Sequence, residues 1–103
     1  MQNILNMLGL ARRARAIECG ARLCGEAVKK HRAELVIIAS DASDTTKKEI
    51  KDCCTYYKTE FIEMGTRVSL GAILGTGECS AAAVTDKNFA AGIRNKYQER
   101  KGE

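Results

Sequence analysis

"ELVIIASDASDTTKKEI", residues 34–50, decides the fold. Its first part, Leu35 to Ala39, is a short unbroken apolar run of mostly branched residues, which predicts a strand buried on both faces. Turn and capping residues follow at once, and Ser43 or Asp44 is placed to cap a helix. That helix carries Ile50, Cys53, Cys54 and Tyr57 at the i, i+3, i+4, i+7 spacing of one apolar face. A fully buried strand leading straight into an amphipathic helix is the unit from which α/β layers are built.

The same alternation extends in both directions. Upstream, Gln2 to Ala14 places Ile4, Leu5, Leu8 and Ala11 on one helical side and ends in Arg12, Arg13 and Arg15, where positive charge suits the carbonyl end. Ala16 to Cys19 reads as a short strand. A second helix starts at Gly20 or Ala21, runs to Lys30, and turns Cys24, Ala27, Val28 and His31 inward. Downstream, Phe61 to Met64 is a strand, and Thr66 or Ser69 caps a short helix through Leu74. "GTGE" turns the chain into "CSAAAV", a strand of small residues, and Asp86 starts a last helix with Phe89, Ile93 and Tyr97 on one side. The expectation is one α/β domain over residues 3–97 with helices on both faces of a small sheet, and a fraying polar tail over residues 98–103. There is no linker, internal repeat or low-complexity tract.

Composition limits the chemistry. The 103 residues carry a net charge of +4, 45% hydrophobic and 29% charged residues, no proline and no tryptophan, so the core is aliphatic and disorder is excluded. A modest basic excess fits a polyanion partner without requiring one. The five cysteines include no C-x-x-C pair, and adjacent Cys53 and Cys54 are poorly placed to share a metal, so neither a zinc clamp nor a thioredoxin motif is read. No signal peptide or membrane span is read in the opening segment, and reduced thiols in a cytoplasmic protein is the simplest account.

Catalytic constellations are sparse. His31 is the single histidine, which leaves no evident Cys-His or Ser-His pair. Asp41 and Asp44 follow a strand, as magnesium or phosphotransfer carboxylates do, but they are equally good turn and cap formers. "GAILGTG", Gly71 to Gly77, has glycine-loop character but ends a helix and enters a strand, the reverse of a dinucleotide loop. No cofactor or metal is expected. In contrast, Arg12, Arg13, Arg15, Arg22, Lys29, Lys30 and Arg32 crowd together with only Glu18 and Glu26 opposing them. A helix opening at Gly20 adds free N–H donors beside that charge, a setting for a sugar-phosphate chain. A solvated face stabilised by Arg22–Glu26 and Glu26–Lys30 pairs explains the same residues as well.

Four blocks in order, "MLGLARRA", "ELVIIASDASDTTKKEI", "GTRVSLGAILG" and "AAAVTDKNFAAGI", make the chain resemble the kink-turn RNA-binding ribosomal-protein family of the L7Ae type, and most closely its small bacterial YlxQ-like branch, from about Asn3 to Tyr97. The resemblance implies a three-layer α/β/α sandwich around a four-stranded mixed sheet, and RNA binding in place of catalysis. It implies an RNA surface in two parts. The first is the start of the second helix, where the family's Gly-x-Asn-Glu-x-x-Lys motif falls on Gly20, Ala21, Arg22, Leu23 and Glu26. Lys29 and Lys30 lie further along, and Ser43 lies near a further contact. The second part is the loop of Gly75, Thr76, Gly77, Glu78 and Cys79. Gly20 matches the motif. Arg22 stands for Asn, Leu23 for Glu and Glu26 for Lys, and in relatives those Asn and Glu side chains read base edges. RNA, ribosomal or otherwise structured, is the implied partner, with ribosomal or translation-factor proteins beside it, no membrane, and a monomeric chain. The alternative is a protein-interaction module of the translation or transcription machinery that kept the fold and lost RNA readout. A small phosphate-handling enzyme using Asp41 is a distant third.

Overall fold

The computed structural model describes the backbone of residues 2–101 and the side chains of residues 4–98. Elements alternate as the patterning requires: α1 (Gln2–Arg13), β1 (Ile17–Cys19), α2 (Ala21–Lys29), β2 (Leu35–Ile38), α3 (Asp44–Tyr57), β3 (Phe61–Glu63), α4 (Arg67–Leu74), β4 (Ala81–Val84) and α5 (Lys87–Lys101). The four strands form one sheet in the order β1-β4-β2-β3, with β2 and β3 parallel and the other two pairings antiparallel. Helices α2 and α3 pack together as one layer, and α1 packs with α4 and α5 as the other. The sheet is mixed and the architecture is the three-layer α/β/α sandwich.

The central strands explain the sequence most directly. All four residues of β2 and all four of β4 are buried. Leu35 faces Val84 and Ile38 faces Ala81 across the ladder. Branched side chains in β2 suit a pleated strand covered on both faces, while the alanines of β4 leave room for helices above and below. Ile4, Leu8 and Ala11 form the buried stripe of α1, and Cys24, Ala27 and Val28 that of α2.

The helix starts are resolved by chemistry. Ser43 is the α3 cap, its Oγ accepting from Thr46 N–H at 3.1 Å. Thr66 caps α4, and Ser69 is its reciprocal partner: Thr66 Oγ1 accepts from Ser69 N–H at 3.0 Å and Ser69 Oγ from Thr66 N–H at 2.9 Å, a complete capping box. Asp86 accepts from the amides of Asn88 and Phe89 and so opens α5.

Two expectations change. His31 does not turn inward with the α2 stripe. The helix ends at Lys29, and His31 takes a left-handed backbone (φ 60°) that leaves it exposed, edge-on to Tyr57 at 5.9 Å between ring centroids. The last helix also continues through Gln98 to Lys101, where a polar tail is read from the sequence. Residues 102 and 103 of that tail lie outside the described residues.

Candidate nucleic-acid interface

Strand β1 delivers the chain to Gly20, which stands at the N-cap of α2 with φ 119° and ψ 142°. Side-chain-bearing residues rarely take that conformation, so the backbone and not space selects glycine here: nothing lies within 4 Å of where a Cβ would sit. Gly20 N–H donates to Ala81 O at 2.9 Å, and Gly20 O accepts the first helical bond from Cys24 N–H at 2.8 Å. No side chain caps α2. The amides of Ala21, Arg22 and Leu23 therefore face outward at the positive end of the helix, an anion-ready arrangement.

Arg22 projects from this opening with 89% of its side chain exposed, and its Nε lies 3.7 Å from Glu26 Oε1. An ion pair that long and that wet holds little energy, so Arg22 is free to turn to a stronger anion. Leu23 beside it is also exposed. Further along the helix, Arg22, Glu26 and Lys29 line one groove between α2 and α3 with Ala21, Gly25 and Glu49.

The glycine loop reaches the last residue of β1, next to the N-cap of α2. Gly75 ends α4 with φ 77°, in the left-handed conformation of a helix stop. Thr76 N–H donates to Gly71 O at 2.8 Å, and Thr76 Oγ1 donates to Glu78 O at 3.2 Å. That same Oγ1 lies 3.8 Å from Cys19 Sγ. Together with the Gly20–Ala81 bond, this contact joins the loop to the β1–α2 junction. Gly71 is where the loop folds over its own helix: a Cβ there would lie 2.8 Å from Glu78 Cα and Gly77 O.

Not every candidate residue joins the cluster. Gly20, Ala21, Arg22 and Leu23 share one edge with Gly75, Thr76, Gly77 and Glu78. Cys79 belongs to that loop by backbone only. Its side chain is buried, its Sγ donates to Ala81 O at 3.2 Å, and burial pushes its thiol up to about 12. Cys79 can thus serve the loop through its backbone, while its side chain packs inward. Lys29 and Lys30 sit about 11 Å beyond Arg22 along the helix at 1.5 Å per residue, away from the loop. Ser43 spends its hydroxyl on the α3 cap, and no hydrogen bond links it to the other candidates among the described residues. Arg32 drops out of the basic crowd because Glu18 holds its guanidinium through a fork, with Nη2–Oε1 at 3.1 Å and Nε–Oε2 at 3.3 Å.

Two features had no local signal in the sequence. The Arg12 guanidinium lies against Gly75, so closely that a Cβ on residue 75 would overlap it. The arginine run at the end of α1 is thereby carried to the glycine loop. Asp41 takes Arg67 N–H at 2.8 Å, and the Arg67 side chain reaches both Asp41 Oδ2 (3.7 Å) and Glu78 Oε1 (3.5 Å). Asp41 thus serves the start of α4, and the charge of Glu78 faces a guanidinium within its own wall. Among the described residues, no group of three or more His, Cys, Asp or Glu side chains is arranged to hold a metal ion, and no helix is long and apolar enough to cross a membrane.

The model of the ribosomal protein L7Ae/L30e/S12e/Gadd45 family matches residues 2–93. The chain is 39% identical over 84 residues to a Bacillus subtilis protein called RNA-binding protein YlxQ, covering 82% of this chain and 84% of that one. It is 30% identical over 89 residues to an Enterococcus faecium protein of the same name, covering 86% and 85%. Among solved structures it is similar to a Bacillus halodurans protein described as of unknown function, with a TM-score of 0.85, 35% identity, and coverage of 89% of this chain and 93% of the other. The Giardia lamblia 15.5kD RNA binding protein shares the fold at a TM-score of 0.77 and 24% identity, covering 92% of this chain and 84% of the other.

Proposed function

The chain belongs to the ribosomal protein L7Ae/L30e/S12e/Gadd45 family and to its YlxQ-like branch, and from that premise we propose that it is a non-catalytic RNA-binding protein acting through one α/β domain over residues 3–97. The observation that carries the proposal is the uncapped start of α2, tied to the start of β4 by the Gly20 N–H to Ala81 O bond and joined to the glycine loop through the Cys19–Thr76 contact. The names of the two YlxQ relatives and of the Giardia protein support the same direction.

The proposed division of labour follows from the geometry. The amides of Ala21 to Leu23 and the Arg22 guanidinium take phosphate oxygens. The backbone of Gly75 to Glu78 supplies shape, and Arg12, whose guanidinium lies against Gly75, supplies charge beside the loop. Leu23 has no hydrogen-bonding side chain, and Glu26 repels phosphate. Recognition therefore rests on backbone charge and the shape of a structured RNA more than on kink-turn base edges. A cytoplasmic, ribosome-associated RNA is the finer form of the proposal.

Binding of a cellular RNA pool, measured over a series of salt concentrations, tests it. Affinity falls with salt at a log–log slope of about −0.7 to −0.9 for each phosphate neutralised. Crosslinking followed by sequencing then names the RNA. Absence of any retention at low ionic strength overturns the proposal. The exposed Leu23 would in that event favour a protein-interaction surface at the same edge.

A further inference from the structure

We infer that Cys19 and Cys79 form a disulfide-forming thiol pair set between the two walls of the interface. Cys19 is the last residue of β1, next to Gly20, and Cys79 closes the glycine loop. Cys19 Sγ touches Thr76 Oγ1 at 3.8 Å, and Cys79 Sγ bonds Ala81 O, the oxygen that also takes Gly20 N–H. Ala81 O thus takes both the Cys79 thiol and the amide that follows Cys19, which sets the two thiols at one junction. They are separated by 60 positions in the chain and brought together by the antiparallel pairing of β1 with β4. The remaining three cysteines do not share this setting: Cys24 and Cys54 are buried, with both thiols pushed up to about 12, and half-buried Cys53 lies on α3.

Exposure sets the order of events. Cys19 is half-buried and within reach of a small disulfide, whereas Cys79 is buried with its thiol pushed up. The Cys19 thiol gives up its proton, and its thiolate attacks one sulfur of a small-molecule disulfide RSSR. A Cys19–S–S–R bond forms, and RS⁻ leaves and takes up that proton. Cys79, held at the same junction, loses its proton and attacks the Cys19 sulfur. The bond to R breaks, and a second RSH departs with the Cys79 proton. In sum, two protein thiols are oxidised and RSSR is reduced to two RSH. Placement at one junction raises the effective concentration of Cys79 at that sulfur and so compensates for its weak acidity.

The cross-link removes the thiol hydrogen that bonds Ala81 O and ties the residue before the α2 N-cap to the end of the loop. Both walls lose the freedom to adjust to a bound strand, so RNA affinity falls. This consequence rests on the RNA-binding reading, whereas the disulfide itself does not.

The test treats the folded full chain with oxidised glutathione, blocks remaining thiols after unfolding, and maps peptides by mass spectrometry. A Cys19–Cys79 link is expected, with buried Cys24 and Cys54 recovered as thiols. In Cys79→Ser the reaction stops with glutathione on Cys19, and in Cys19→Ser Cys79 stays reduced. If the wild type also stops with glutathione on Cys19, or links other cysteines, the thiol pair is overturned. Binding to the cellular RNA pool is then compared before oxidation, after it, and after dithiothreitol. A several-fold, reversible loss that Cys19→Ser lacks is expected. A mapped disulfide with unchanged affinity overturns the coupling to RNA. No RNA binding by the reduced protein sinks the RNA reading and leaves the disulfide standing.

Discussion

Helices α2 and α4 begin at the same edge of the molecule and are finished in opposite ways. The first turn of α4 is closed on every side: Thr66 and Ser69 cap each other, Asp41 takes the Arg67 amide, and the Arg67 guanidinium sits between Asp41 and Glu78. The first turn of α2 has a glycine at its cap, no side-chain acceptor, and an arginine reaching into water. A helix start left open costs stability, because its amides lack protein partners. The chain closes α4 and leaves α2 open, so under the proposed function α4 holds the loop and α2 holds the RNA. Substitutions should divide accordingly. Changes at α4 should move stability, and changes at α2 should move RNA affinity.

The largest expected effect breaks the division from the side the two walls share. Gly71→Ala places a methyl group 2.8 Å from the backbone of Gly77 and Glu78, where no flexible side chain can yield. Overpacking of this kind costs about 1–3 kcal/mol, and here the yielding part is the glycine loop itself. Chemical denaturation should show that loss, and RNA binding should fall with it because the loop is displaced. Next is Thr66→Ala, which removes one half of the capping box and should cost about 1 kcal/mol. Its RNA affinity and salt slope should match the wild type. A changed slope would mean that the α4 start also meets phosphate.

On the α2 side, Arg22→Ala should leave the denaturation midpoint nearly unmoved, since Arg22 is exposed and only loosely paired. RNA affinity should drop, and the log–log salt slope should become shallower by about 0.7 to 0.9. Glu26→Lys should act in the opposite sense, strengthening binding by removing a carboxylate and adding a cation on the same stripe. If both variants bind as the wild type does, α2 is not the contact surface and the division between the two helix starts fails.

How much of this could be read before folding depends on the range of each interaction. β2 and α3 were legible because their signals are local: an unbroken branched run, then a serine three residues before the amide it caps. Thr66 and Asp86 were legible for the same reason, since capping spans only three residues. His31 escapes the helical spacing because α2 ends two residues before it, and a left-handed turn there rotates the ring outward. Cys79 was placed with its loop by sequence, but its inward side chain depends on the β1–β4 pairing. The contacts that shape the site are long-range. Asp41 and Arg67 are 26 positions apart, Cys19 and Thr76 are 57 apart, and Arg12 meets Gly75 from another helix. No spacing rule reports such pairs. The basic crowd was visible as composition, yet only the fold shows that Glu18 removes Arg32 from it while Arg12 is delivered to the loop.

The smallest expected effect sharpens the comparison through α3, the layer mate of α2. Its Lys47 and Lys51 are held by Glu63 of β3, Nζ–Oε1 at 3.2 Å and Nζ–Oε2 at 3.1 Å. Hydrogen bonds from Lys51 and then Lys47 hold the Glu63 carboxyl below its ordinary value of 4.5. A carboxylate lowered in this way adds stability above its unfolded value and loses it as pH falls through the folded one. Glu63→Gln should therefore melt slightly lower than the wild type at neutral pH, with the gap closing as pH falls below the ordinary carboxyl value and through the lowered one, where the wild-type carboxylate takes up its proton. The gap is small because solvent screens so exposed a cluster. The informative readout is RNA binding at neutral pH. Glu63→Gln releases both lysines, so unchanged affinity confines the interface to α2 and the glycine loop. Tighter binding instead places the start of α3, Ser43 included, within reach of the same strand.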